Sequence, residues 1–341
     1  MSTGLRWIAA LLCLVAAVPT GSAAAQAGAS GKSFLWKVQS GAGVLYLAGS
    51  VHALDKSVYP LSPAFQRAFE ASGALVEEID LAESNALAAA PMLLGKGMFQ
   101  DGQTFDRVVS SETLALVTER LKNTPMGLDL IKTMKPWMVY MILTALEVQE
   151  AGLDVNLGLD RYFFDKAAAG GKETIPLETA ESQVDRMDRM PIAVQEQMLR
   201  STLRGVGSNG VRGADPGRGA LNLIVAAWKR GDAGSMERML LSEFAGFPAA
   251  YQSLVVERNR NWMPQLDACL ARRSPCLVVV GAAHLVGPDG LLALLLRKGY
   301  RIEQQELPGR RGRRHARDVR GGALPLPAIL HLVSGCSVTS T

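Results

Sequence analysis

Two kinds of hydrophobic pattern divide the chain into three parts. Near the start, Phe34-Leu35-Trp36-Lys37-Val38 and Val44 to Ala48 are short apolar runs of β-favouring residues, and Ser40-Gly41-Ala42-Gly43 between them predicts a hairpin. Ser62 then stands before Pro63 as a helix cap, Ser72-Gly73 stops that helix, and Ala74 to Ile79 reads as the next strand. Strand, helix and strand in that order predict a βαβ unit with a parallel pair. The far end repeats the logic. Cys276 to Val280 is apolar throughout, as in a buried parallel strand. Gly287-Pro288-Asp289 opens a helix over Leu291–Arg297, Gly299 closes it, and the more polar run from Tyr300 to Leu307 reads as a strand near an edge.

Between these ends, from about 84 to 270, the period is helical. The pattern predicts helices over Leu114–Leu121, Trp137–Glu150, Arg161–Ala169, Ile192–Leu203, Leu221–Arg230, Ala233–Phe244 and Tyr251–Ala271. Thr174 to Glu178 is a short possible strand that Pro176 pushes to an edge. The fold expected is therefore α/β (α+β): a central mixed sheet built from N- and C-terminal βα units, with a large helical insert. Trp36 and Trp137 are read as core.

The termini change the picture of charge. Arg6, the apolar run Trp7 to Pro19 and Ala23-Ala24-Ala25 have the form of a secretory signal peptide, residues 1–25, so the mature chain is expected to be secreted or periplasmic. Residues 26–308 are then a single domain, and 309–341 a basic, disordered tail. The formal charge of +4 includes Arg6 and a tail with six arginines against Asp318, which leaves residues 26–308 at −2. A nucleic-acid surface is not expected on such a domain. No stretch reaches the length of a membrane helix, so an integral membrane protein is not expected either. Oligomeric state is not legible.

Several motifs are absent or fail. Gly205, Gly207 and Gly210 spell G-x-G-x-x-G, but a helical segment precedes them where a dinucleotide site needs a strand. There is no G-x-S-x-G, CxxC or HExxH. Cys269 and Cys276 frame a helix-to-strand turn, where a disulfide and two free thiols are both open.

Chemistry gathers at the strand ends. Of four histidines, two close the same pattern: LYLAGSVH ends at His52 and LVVVGAAH at His284. Ligands of open α/β sheets bind beyond the carboxyl ends of the strands. Two imidazoles over one edge suit metal binding or proton transfer. Val76-Glu77-Glu78-Ile79-Asp80 adds adjacent carboxylates on opposite faces of a third strand, one of them expected to be solvated and Glu78 the functional one.

Together these residues resemble the TraB/PrgY/GumN family, related to the TIKI metalloproteases. The resemblance rests on Leu35-Trp36, GSVH at 49–52, LVEEIDL, GLD at 158–160, LETAESQ at 177–183, ERN at 257–259 and VVVGAAHLVGPDGLLALLLRKGY, in that order from about 34 to 305. Ser50 stands where the family usually has Thr, and the tail has no counterpart. The resemblance implies a divalent-metal-dependent hydrolase acting on a peptide or protein. In that reading His52 and His284 hold Mn, Co or Zn, with Glu78 as a further ligand. Such an ion brings the pKa of its bound water to about 7. Glu78 or Glu178 is the general base, Arg258 and Asn259 polarise the scissile carbonyl, and Ser50 orients a histidine or a ligand. The competing expectations are a non-catalytic protein binding a peptide, haem or metal, and a metal-independent esterase with histidine as base. Asp160 is expected to cap or pair within its own helix, and Glu178 to cap the helix near Thr179.

Overall fold

The computed structural model describes residues 31–41, 43–82, 86–122, 124, 126–205 and 216–307. The leader, most of the Gly-rich loop and the 309–341 tail lie outside these residues. Six strands form one sheet among them: β1 (Lys32–Ser40), β2 (Gly43–Ser50), β3 (Ala74–Glu77), β4 (Glu173–Pro176), β5 (Cys276–Gly281) and β6 (Arg301–Glu306). Their order is β4-β3-β5-β2-β1-β6. The β1–β2 hairpin and the β1–β6 pair are antiparallel, whereas β2, β5, β3 and β4 run parallel.

The strand from the far end of the chain sits inside the sheet. Every residue of β5 is buried, and its valines suit a strand covered on both faces. It takes β2 on one side and β3 on the other. This corrects the simple βαβ expectation: the helix Pro63–Ala71 does join β2 to β3, but β5 separates them. A strand apolar on both faces needs a neighbour on each side, and the chain's end fills the gap. The edges go to β4, with Pro176, and to β6, whose residues are mostly half-buried or exposed.

Two local expectations differ in detail. Pro63 does open the helix, but the Ser62 hydroxyl makes no cap bond and lies 3.2 Å from Ser33 Oγ instead. The segment read as one helix over Tyr251–Ala271 is a short helix Pro248–Tyr251, a π turn over Gln252–Val256 and a helix Glu257–Ala271. The wider turn re-aims the residues that follow it, Arg258 and Asn259 among them.

The insert packs its helices on one apolar centre. Pro136–Glu150 is buried along most of its length, as its nearly all-round apolar sequence requires, and it packs against Ile192–Gly205. Trp36 and Trp137 are core residues. Cys269 and Cys276 are bonded, Cα to Cα 5.8 Å, which ties the end of the helix Glu257–Ala271 to the start of β5.

Candidate active site at the carboxyl edge of the sheet

The parallel strands end level with one another. Ser50 pairs with Gly281 across β2 and β5, and Glu77 with Val279 across β3 and β5. Residues just past these ends therefore rise over one edge: His52 from β2, His284 from β5 and Glu78 from β3. Each glycine of the repeated motif makes room for something. A Cβ on Gly49 would run into the ring of Phe34. A Cβ on Gly281 would lie 3.0 Å from His52 Nε2, 3.2 Å from Glu78 Oε1 and 3.6 Å from His284 Cδ2. The three groups thus converge over a glycine because any side chain there would occupy their meeting point.

His52 is held by the GLD segment. The Leu159 N–H donates to the Val51 carbonyl at 3.3 Å, and Gly158 sits so close to His52 that a Cβ would lie 2.5 Å from its carbonyl oxygen. This docking brings Asp160 under the imidazole. Asp160 Oδ2 is 3.1 Å from His52 Nδ1, and Ser50 Oγ donates to Asp160 Oδ1 at 2.9 Å. A carboxylate only accepts, so Nδ1 carries the proton and Nε2 is the basic nitrogen. Nε2 faces Glu78 Oε1 at 3.9 Å.

His284 lives in a different environment. Its side chain is 3% exposed, against 17% for His52. Asn259 Nδ2 donates to the carbonyls of His284 and Asp289 at 3.1 and 2.9 Å, which fixes the amide so that Oδ1 accepts from His284 Nδ1 at 2.7 Å. The other ring nitrogen, Nε2, accepts from Arg258 Nη1 at 2.9 Å. Burial first, and then the Arg258 charge, push His284 down to about 3, so it is neutral at physiological pH. Trp262 packs on its ring, centroids 4.5 Å apart, and the Arg258 guanidinium lies 4.8 Å over the Trp262 ring.

Arg258 is the hub of a buried network. It is 1% exposed and Asn259 0%, while Glu257 just before them is exposed, so the helix turns these two inward. Its Nη2 donates to Glu78 Oε2, its Nε to Glu178 Oε1 at 2.7 Å, and its Nη1 also to the Leu254 carbonyl at 3.2 Å. Gln183 Nε2 donates to Glu78 and Glu178 at 3.2 and 2.9 Å. The Leu177 and Glu178 N–H groups donate to the Glu77 and Glu78 carbonyls, so pairing continues past β4 and sets Glu178 beside Glu78. Thr179, not Glu178, caps the following helix. The Gly281 N–H donates to Glu78 Oε1 at 2.7 Å.

The structure therefore brings His52, His284, Glu78, Arg258, Asn259 and Glu178 together, and adds residues that sequence reasoning did not place there. Asp160 pairs with His52 outside its own helix, Gln183 bridges Glu78 and Glu178, and Trp262 packs on His284. Glu77 is corrected outright: both acids of the pair are buried. Burial, then Asp160, hold the Glu77 carboxyl well above its usual range, and its Oε1 has no hydrogen-bond partner.

A divalent ion would draw on His52 Nε2, His284 Nε2 and Glu78 Oε1, which are of the right chemical type. In this arrangement the His284 lone pair is engaged by Arg258 and Glu78 Oε1 by Gly281, and no group of three or more His, Cys, Asp or Glu set to hold an ion occurs among the described residues. As arranged, the donors do not fit a metal, and the guanidinium supplies the positive charge.

An α/β sheet with two Gly-x-x-His strand ends, an acidic strand end between them and a helical insert defines the class of protein, and comparison with known sequences agrees. The TraB/PrgY/gumN family model matches residues 34–304, and the chain belongs to that family. It is similar to the Escherichia coli (strain K12) protein named "Uncharacterized protein YbaP", 25% identical over 251 residues, 73% of this chain and 87% of that one. The Shigella flexneri protein of the same name matches to the same extent. No solved structure matches the chain. No helix among the described residues is long and apolar enough to cross a membrane.

Proposed function

We propose that the chain is an exported hydrolase of peptide bonds in which His52 is the general base. The observation that carries this reading is the Ser50–Asp160–His52 relay, with the basic Nε2 turned toward Glu78 over Gly281. Glu78 Oε1 lies 3.9 Å from His52 Nε2 and 4.0 Å from His284 Nε2, a separation that one water spans. His52 takes the proton of that water as its oxygen bonds to the carbonyl carbon, Asp160 stabilises the imidazolium that forms, and the imidazolium gives the proton to the departing amine as the C–N bond breaks. Arg258, fixed between two carboxylates and His284, offsets the negative charge that accumulates as the carbonyl is attacked. Asn259 and Gln183 position His284, Glu78 and Glu178 and do not themselves meet substrate.

A second reading adds a divalent ion, Mn, Co or Zn, held by His52, His284 and Glu78. Its support is the convergence of those groups over Gly281, and it requires Arg258 to release His284 Nε2.

The test is digestion of a complex peptide mixture, read by mass spectrometry, with wild type beside His52→Ala. New termini in the wild type alone, unchanged by a chelator, support His52 as base. Cleavage abolished by chelation and restored by Mn, Co or Zn selects the second reading. No cleavage under any condition leaves a binding protein on this fold and overturns both.

A further inference from the structure

Both histidines open onto a cavity of about 90 Å³. Its walls come mainly from the insert and are apolar, with Leu221, Val225, Met236, Leu240 and Val255 among them. Among the described residues, Glu243 is the only ionisable lining residue besides His52 and His284. The helix Ala233–Phe244 packs across the turn Ala282–His284. Met236, Leu240 and Glu243 follow one another at steps of four and three, so one stripe of that helix presents both apolar wall and carboxyl.

We propose that this cavity is a binding pocket for a primary ammonium on a short aliphatic stem, as in a lysine side chain next to the bond that His52 attacks. The inference rests on the hydrolase reading for its place in catalysis, but the binding itself does not. The apolar wall suits methylene groups, and at about 10–15 Å³ of such space per water-sized group the cavity admits several of them, enough for a three- or four-carbon stem. The carboxyl gives that stem an end to recognise. Burial pushes Glu243 up to about 7, a hydrogen bond from the Ser201 hydroxyl offsetting part of the rise. A carboxylate is costly in an apolar wall, and an ammonium beside it removes that cost. A purely aliphatic ligand would leave the carboxyl with the Ser201 hydroxyl but no charge to answer its own, and the mechanism at the strand ends does not use it.

The experiment measures thermal stabilisation and calorimetric binding of the full chain at pH 8 with n-butylamine, 1-butanol and Nα-acetyl-lysine amide. The variant is Glu243→Gln. The amine is expected to bind at least about tenfold more tightly than the alcohol, as a charge-assisted bond at a desolvated carboxylate requires. Glu243→Gln should abolish that preference while keeping the response to 1-butanol, which shows the cavity intact. Tighter binding of the lysine derivative than of butylamine assigns the site to a peptide side chain, and weaker binding to a free amine. Equal binding of alcohol and amine, or an unchanged preference in Glu243→Gln, overturns the proposal. Intact amine binding in a protein that cleaves nothing would sink the hydrolase reading and leave the pocket standing.

Discussion

Replacing Arg258 with methionine keeps most of the volume of the side chain and removes its charge. In the wild type the guanidinium, 1% exposed, donates to Glu78, Glu178, His284 and the Leu254 carbonyl. Arg258→Met leaves two buried carboxylates facing each other without the guanidinium between them, Gln183 and Gly281 still donating to them and Arg186 4.0 Å from Glu178. Removing one partner of a buried ion pair costs about 3–5 kcal/mol. That range is expected here at neutral pH, because Glu78 and Glu178 both lose their buried cation, and they relieve part of the cost by taking up a proton. Urea unfolding at pH 7 measures the loss, and Arg258→Met with Glu178→Gln should lose less than the sum of the two single changes, since the second removes one stranded charge. A loss below about 1 kcal/mol, the range of exposed pairs, would refute the claim that this network is desolvated and holds the strand ends together.

The other predictions concern the same few residues. Asp160→Asn should lower the rate of cleavage at least about 10²-fold, in the range of general-base contributions, with an unfolding midpoint close to wild type; an unchanged rate would remove Asp160 from the relay. Gly281→Ala should push the His52 and Glu78 side chains back by a few tenths of an ångström with little change in the rest of the fold, because the added Cβ lies 3.0 Å from His52 Nε2 and 3.2 Å from Glu78 Oε1; shifted imidazole NMR resonances for His52 and His284 are the readout, and unmoved resonances would contradict the convergence. Stability should depend on pH through His284. Its folded pKa, about 3, is below the ordinary 6.5, so the folded state binds fewer protons between those values. The contribution is present above about 6.5 and is lost as the pH falls toward 3; the acid limb of urea midpoints against pH should flatten in His284→Gln.

Much of this site was legible in the sequence because its signals are local. Gly-x-x-His appears twice, each time after an apolar run. Paired acids at the end of Ala74–Ile79 marked the third strand. Partnerships across long sequence separations were not legible. Asp160 and His52 are 108 residues apart, and nothing in the period of the helix Leu159–Gly170 says that its first turn docks on β2. The place of β5 between β2 and β3 was likewise hidden, since strand order depends on which faces remain open after the hairpin forms. Glu77 looked like a solvent-facing acid because alternation assigns it the opposite face from Glu78, yet that face is covered too. The π turn before Arg258 interrupts a helical pattern that the sequence carries without a break.

The most direct measurement is chemical rescue. A peptide cleaved by the wild type is offered to His52→Ala, alone and with added imidazole, in the presence of a chelator. With His52 as the base, cleavage disappears in the variant and returns in proportion to imidazole. Wild-type cleavage by His52→Ala without imidazole would contradict the account.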